Sequence, residues 1–233
     1  MEGSSKDISL IKDLIINLDD LFLIVVAGEY NSGKSEFINA LLGGNYLKTG
    51  VTPTTTDINI LRYAEEKQEK MISEGQKMVE LPVDLLQDVS IVDTPGTNAV
   101  LREHEALTTD FIPRSDLVIF ITSVDRPFTE SERAFLERIR SWGKKIAVII
   151  NKSDIVTNQN EMDEIRSFVG ANFEKLLGFS PQIFSLSARA SLSEKKQSGK
   201  SGEDLKKVED YIFQTLDPGN KLCLKLMNPL GVT

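Results

Sequence analysis

Residues 28–35 read Gly28-Glu29-Tyr30-Asn31-Ser32-Gly33-Lys34-Ser35, which fits the pattern G-x-x-x-x-G-K-[ST]. The octapeptide follows a short, continuous, β-branched run at residues 21–27 (LFLIVVA) and opens a helical pattern at residues 34–42. Strand, glycine loop and helix in that order leave few folds open. The spacing has a chemical reason. The four residues between Gly28 and Gly33 (Glu29, Tyr30, Asn31 and Ser32) carry the chain around the β-phosphate so that successive N–H groups point inward. Gly33 lets the backbone approach closely. Lys34 would span the β- and γ-phosphates, and Ser35 would place its hydroxyl on Mg²⁺. The start of the helix adds its positive dipole end.

Other short apolar runs repeat the theme. Residues 89–94 (VSIVDT), 117–122 (LVIFIT), 146–151 (IAVIIN) and 182–186 (QIFSL) predict buried strands. Residues 57–62 (DINILR) alternate polar and apolar, which predicts an edge strand. Helical patterns lie at 34–42, 101–112, 129–142, 159–177 and 202–216. Strands alternating with helices predict an α/β domain: three layers around a mainly parallel sheet, of the P-loop NTPase type.

Three segments fall outside that scheme. Ile8, Ile11, Ile15 and Leu18 share one helical face, so an amphipathic helix precedes the first strand. It packs on its own domain or belongs to a neighbouring bundle. Residues 65–80 (EEKQEKMISEGQKMVE) are charged and predict a solvated loop or hairpin. Residues 221–227 (KLCLKLM) are apolar and end near Pro229, as in a segment that continues into a longer protein.

The chain has 233 residues, with 27 Lys and Arg against 35 Asp and Glu, a formal net charge of −8. That balance argues against a nucleic-acid surface, which needs clustered cations. It leaves an anion site open, because backbone N–H groups and one or two cations suffice. Cys223 is the single cysteine, so no internal disulfide forms. No run approaches the ~18–20 apolar residues of a membrane span. The first residues carry no basic region or apolar core of a signal peptide, and the chain is expected to be soluble.

Asp93-Thr94-Pro95-Gly96 ends the predicted strand at 89–94. An acidic residue there can hold Mg²⁺ through water, and the Gly96 N–H can reach a γ-phosphate. Between the two glycine loops lies Val51-Thr52-Pro53-Thr54-Thr55-Thr56. A switch loop needs one threonine that completes the Mg²⁺ sphere; spacing alone does not choose among them. Asn151-Lys152-Ser153-Asp154 ends the strand at 146–151. Asp154 can accept two hydrogen bonds from guanine, a donor pair that adenine lacks. Lys152 can lay its stem along the purine, and Asn151 can tie this loop to the phosphate loop. After the next strand, Ser187 and Ala188 place a backbone N–H for guanine O6. All of these lie, in order, at strand ends, where nucleotides bind α/β sheets.

These residues resemble the translation-factor-like class of P-loop GTPases, and within it the dynamin superfamily. GEYNSGKSEFINALLG (28–43), PTTTDI (53–58) and IVDTPGTN (91–98) are similar to bacterial dynamin-like proteins, mitofusins and, above all, the FZO-like (FZL) chloroplast dynamins. The resemblance covers residues 21–216 as a GTPase domain. It implies that residues 1–20 form a neck-type helix and that 217–233 connect toward a bundle.

Residue by residue, the resemblance implies Gly28, Gly33, Lys34 and Ser35 at the phosphates and Mg²⁺. It implies Thr55 as the switch threonine, with Thr54 second, and Asp93 and Gly96 as the DxxG pair. Asn151, Lys152 and Asp154 would read guanine. Position 97 is a threonine where Ras-like proteins carry a water-positioning Gln, as in the dynamin class. Asn31 sits where some relatives bind K⁺, and Tyr30 where dynamins proper carry a Gln. The implied activity is Mg²⁺-dependent hydrolysis of GTP to GDP and phosphate. The implied setting is a homodimer meeting across its nucleotides. The implied output is membrane remodelling or fusion, at a chloroplast membrane or the cytoplasmic face of a bacterial one.

Two other readings compete: a soluble GTPase acting on ribosome or tRNA, and a scaffold that binds GTP without turnover. The first should carry a basic appendage; the second should have lost a catalytic residue. His104 reads as a surface residue and Trp142 as packing. Arg102, Arg114 and Arg126 are candidates for contact with a facing protomer.

Overall fold

A computed structural model describes residues 21–50, 57–73, 75–94 and 110–216. The terminal segments 1–20 and 217–233 lie outside these residues, as does most of the helix expected at 101–112.

Among the described residues, eight strands form one sheet: β1 (Phe22–Gly28), β2 (Ile58–Tyr63), β3 (Gln68–Ser73), β4 (Gln76–Leu81), β5 (Val89–Asp93), β6 (Leu117–Ser123), β7 (Ile146–Asn151) and β8 (Gln182–Ser185). Their order is β3-β4-β2-β5-β1-β6-β7-β8. From β5 to β8 every neighbouring pair is parallel. β2 runs antiparallel to β5, and β3 antiparallel to β4.

The described helices are α1 (Lys34–Leu42), α2 (Leu85–Asp88), α3 (Glu130–Ile139), α4 (Gln159–Leu177), α5 (Ala188–Ser198) and α6 (Glu203–Leu216). The central strands are buried on both faces, which is why they read as unbroken apolar runs. Alternate residues enter two separate cores. Ile24, Val26, Ile119, Ile121 and Ile149 face Phe37 and Leu41 of α1 and Leu205 and Ile212 of α6. Val25, Val118, Phe120, Val148 and Ile150 face Phe135 and Leu136 of α3 and Phe173 of α4. In that second core the Phe120 ring lies 5.5 Å from Phe173, edge-on, and 5.9 Å from Phe135. The result is the expected three-layer arrangement of helices around a mostly parallel sheet.

Three expectations need correction. Residues 57–62 do not form an edge: β2 lies between β4 and β5. The reason is the charged segment at 65–80, which folds into the β3–β4 hairpin and docks β4 alongside β2 in parallel. Val79 and Leu81 of β4 are buried in the first core, while Lys70–Glu80 (2.9 Å) and Lys77–Glu69 pair across the hairpin. The true edge is β3, exposed throughout.

The helix expected at 129–142 ends at Ile139 and continues as a 3₁₀ turn over Arg140–Trp142. Trp142 packs against the second core, as expected. The third correction is α5, for which no helical pattern was recognised. Only Ala188 and Ser191 of this helix are buried, so its sequence shows no apolar stripe. Its signals are the caps: the Ser187 side chain accepts from the Ala190 N–H, and Gly199 ends the helix in left-handed conformation.

Candidate nucleotide-binding site

The phosphate loop leaves β1 at Gly28. Its φ is +147°, and a Cβ here would stand 2.1 Å from the Ile121 carbonyl oxygen of β6, so only glycine fits. Asn31 has φ +63° and Gly33 φ +91°; α1 then begins at Lys34. A Cβ on Gly33 would lie 2.1 Å from Asn151 Nδ2. The motif's second glycine is therefore required by a side chain from β7 as well as by its own backbone.

Lys34 is buried and folds back on its own loop. Its Nζ donates to the carbonyls of Glu29 (2.9 Å) and Gly28 (3.2 Å). Burial lowers the ammonium pKa to about 8, against the opposing pull of Asp93, Glu132 and Glu29. A bound phosphate would raise it again. The Ser32 hydroxyl is buried and has no hydrogen-bond partner among the described residues.

Across from the loop, the Ser35 hydroxyl donates to Asp93 Oδ2 at 2.7 Å. Next to Asp93, the Thr94 hydroxyl donates to the Val26 carbonyl at 2.9 Å and fixes this strand end against β1. Asp93 is fully buried, and burial pushes its carboxyl up to about 6, although Lys34, Ser35 and Asn59 pull it down. Its Oδ1 has no partner among the described residues. A buried carboxylate oxygen without a donor, beside a hydroxyl, fits a hard divalent cation such as Mg²⁺. Among the described residues there is no cluster of three or more acidic, His or Cys side chains, so water and phosphate would complete its shell. Thr55 and Gly96 lie outside the described residues.

At the far end, Asn151 is buried and bridges three segments. Its Nδ2 donates to the Ser32 carbonyl at 2.8 Å, and its Oδ1 accepts from the Ala188 N–H at 2.9 Å. The Ala188 N–H, expected near guanine O6, here holds the Asn151 side chain. Ser187 is committed to capping α5. Lys152 takes φ +62° and pairs with both oxygens of Asp125 at 3.2 and 3.3 Å. Burial by itself would raise the Asp125 carboxyl; hydrogen bonds from Ser123 and Lys152 outweigh it and hold it low. Asp154 sits exposed in the 3₁₀ turn Ser153–Ile155, which is pinned by the Ser153 N–H on the Leu186 carbonyl at 3.2 Å.

The described candidates therefore meet along one end of the sheet, at the C-terminal ends of β1, β5 and β7 and just after β8. Arg114 and Arg126 are both exposed. Two residues that reading the sequence missed also touch this site: Asp125, which holds Lys152, and Glu132, whose carboxylate reaches the Glu29 N–H. Glu132 was legible as the last residue of a T-x-x-E capping box at 129–132.

Residues 23–152 match the family described as 50S ribosome-binding GTPase. The chain is 42% identical over 254 aligned residues to an Arabidopsis thaliana protein described as a probable transmembrane GTPase, FZO-like, chloroplastic. That match covers 97% of this chain and 28% of the relative. A dynamin-like protein 2 of Campylobacter jejuni is 27% identical, over 71% of this chain and 31% of its own length. The chain thus spans less than a third of either protein. Among solved structures, one of an oligomerised bacterial dynamin pair superposes with a TM-score of 0.73 at 18% identity, over 96% of this chain and 43% of that one. That likeness shows the fold. With that family matched over more than half of its residues, the chain belongs to the 50S ribosome-binding GTPase family, and it is similar to dynamin-like proteins.

Proposed function

We propose that the site at the end of β1, β5 and β7 binds GTP with Mg²⁺ and hydrolyses it, using the residues assembled there. The observation that carries this reading is the pair of ties between distant motifs: Ser35 to Asp93, and Asn151 to both Ser32 and Ala188. The loop N–H groups after Glu29, from Tyr30 to Ser35, and the Lys34 ammonium would take the β- and γ-phosphates. Ser35, Asp93 and Thr55 would hold Mg²⁺, whose bound charge offsets the negative charge developing on the phosphates. Thr55 and the Gly96 N–H would orient the attacking water. Lys152 and Asp154 would read guanine.

Asn31, left-handed in its backbone within the loop, would offer its side chain to K⁺ in the position an arginine finger takes elsewhere. Hydrolysis in K⁺ should then exceed that in Na⁺ or Li⁺ at least severalfold. Equal rates in the three salts would remove the cation role.

Residues 21–216 would act as the GTPase unit, 1–20 as a neck-type helix and 217–233 as a connector. Two such units would meet across their nucleotides, and turnover would drive membrane remodelling or fusion at a chloroplast or bacterial membrane. The names of the Arabidopsis relative and the bacterial dynamin structure support this setting. No described helix is long and apolar enough to cross a membrane, so attachment would come from other parts of a longer protein. Light scattering tests the dimer. Mass should double with a non-hydrolysable GTP analogue or a transition-state mimic and stay monomeric with GDP; one mass in all three states would overturn it. A second reading, action on ribosome or tRNA, rests on the family's description; tight, salt-sensitive RNA binding by this chain would favour it.

A further inference from the structure

The first turn of α3 packs against the back of the phosphate loop. Glu132 is 1% exposed. Its carboxylate accepts from the Thr129 N–H at 2.9 Å, from the Thr122 hydroxyl at 3.1 Å, and from the main-chain N–H of Glu29. One residue earlier, the Ser131 hydroxyl donates to the Glu29 carboxylate at 3.1 Å. Glu29 is thus held from α3 by its backbone and by its side chain.

The same peptide bond faces Lys34 on its other side. The Gly28 carbonyl accepts from Lys34 Nζ, while the Glu29 N–H donates to Glu132. A buried ammonium and a buried carboxylate therefore bracket one peptide unit, its C=O toward the cation and its N–H toward the anion. That is the favourable direction for the peptide dipole. Capping α3 explains only the bond to Thr129. A surface carboxylate would cap equally well without the desolvation that pushes the Glu132 carboxyl up to about 7. The bond to Glu29 adds nothing to α3; its effect is on the loop.

We propose that Ser131 and Glu132 are positioning residues for the phosphate loop. From the first turn of α3 they hold Glu29, so that the peptide bond between Gly28 and Glu29 turns its carbonyl to Lys34 and keeps its N–H off the nucleotide. The inference rests on residues 28–35 being the nucleotide loop. α3 thereby becomes the rigid support against which the loop keeps its curve when phosphate takes Lys34 away from the two carbonyls.

The test is titration of fluorescent GDP and GTP into wild type, Ser131→Ala, Glu132→Gln and Lys34→Ala. Glu132→Gln keeps the volume but turns an NH₂ group toward one of the two N–H donors. It should weaken both nucleotides ~10-fold, the scale of losing a supporting partner. Ser131→Ala should weaken both about threefold, the scale of one hydrogen bond. Among the described residues, the charged groups facing Glu132 are Glu29 and Lys34. Lowering the pH from about 7.5 to about 6 protonates Glu132 and should weaken wild-type binding more than that of Glu132→Gln. A merely structural residue would not produce that difference. Unchanged affinity in Ser131→Ala and Glu132→Gln, with binding lost in Lys34→Ala, would overturn the positioning role alone. Retained binding in Lys34→Ala would overturn the loop reading beneath it. If Glu132→Gln does not fold, Ser131→Ala and Glu29→Ala decide: wild-type affinity in both overturns the proposal.

Discussion

Lys34→Ala should lower GTP turnover by ~10²–10³, the loss measured when one preorganised donor to developing charge is removed. The side chain is buried, and among the described residues its Nζ donates to the Gly28 and Glu29 carbonyls. Those carbonyls can be served by water once the ammonium is gone, so the fold should survive. Asp93, Glu132 and Glu29 all surround this one cation. Without it their negative field would face the phosphates uncompensated, and affinity should fall together with turnover. Phosphate release is the measurement, with circular dichroism as the control for folding. A variant that releases phosphate at the wild-type rate would show that catalysis lies elsewhere.

Asp154→Asn should exchange base preference rather than abolish function. The carboxylate sits in an exposed turn after Lys152 and has no hydrogen bond or ion pair among the described residues, so the substitution should leave the fold intact. An asparagine amide would face the guanine ring N–H and amine with a donor where an acceptor is needed. Sites that depend on such pairing discriminate by ~10⁴-fold. GTP affinity should fall by about that factor, and XTP, which presents a carbonyl in place of the amine, should gain. Competition between the two nucleotides measures the exchange. Undiminished preference for GTP would mean that another group reads the base.

How far a residue's role was legible depended on how local its cause is. The strand and helix around the glycine loop were readable because apolar runs and periodicity are properties of neighbouring residues; β7 and α4 fall where the pattern places them. α5 was not, because it is polar over most of its surface and buries only Ala188 and Ser191, with Leu192 half-buried against the first core. The β3–β4 hairpin was half readable. Its turn and charge were visible, but the burial of Val79 and Leu81, and hence the placing of β2 inside the sheet, depend on the partner they find.

The same division runs through the site. Lys34, Ser35, Asp93 and the Asn151–Asp154 run announce a chemistry by residue type and order, since a phosphate, a metal ion and a purine each demand particular groups at strand ends. Chain order alone was enough for that, as for the α/β class. Folding alone decided how those groups support one another. Asn151 spans 119 positions of sequence to reach Ser32 and excludes any side chain at Gly33. Ser131 spans 102 to reach Glu29. Such contacts arise because a parallel sheet brings the C-terminal ends of distant strands side by side. No periodicity along the chain records which of its hydrogen-bonding groups will then meet.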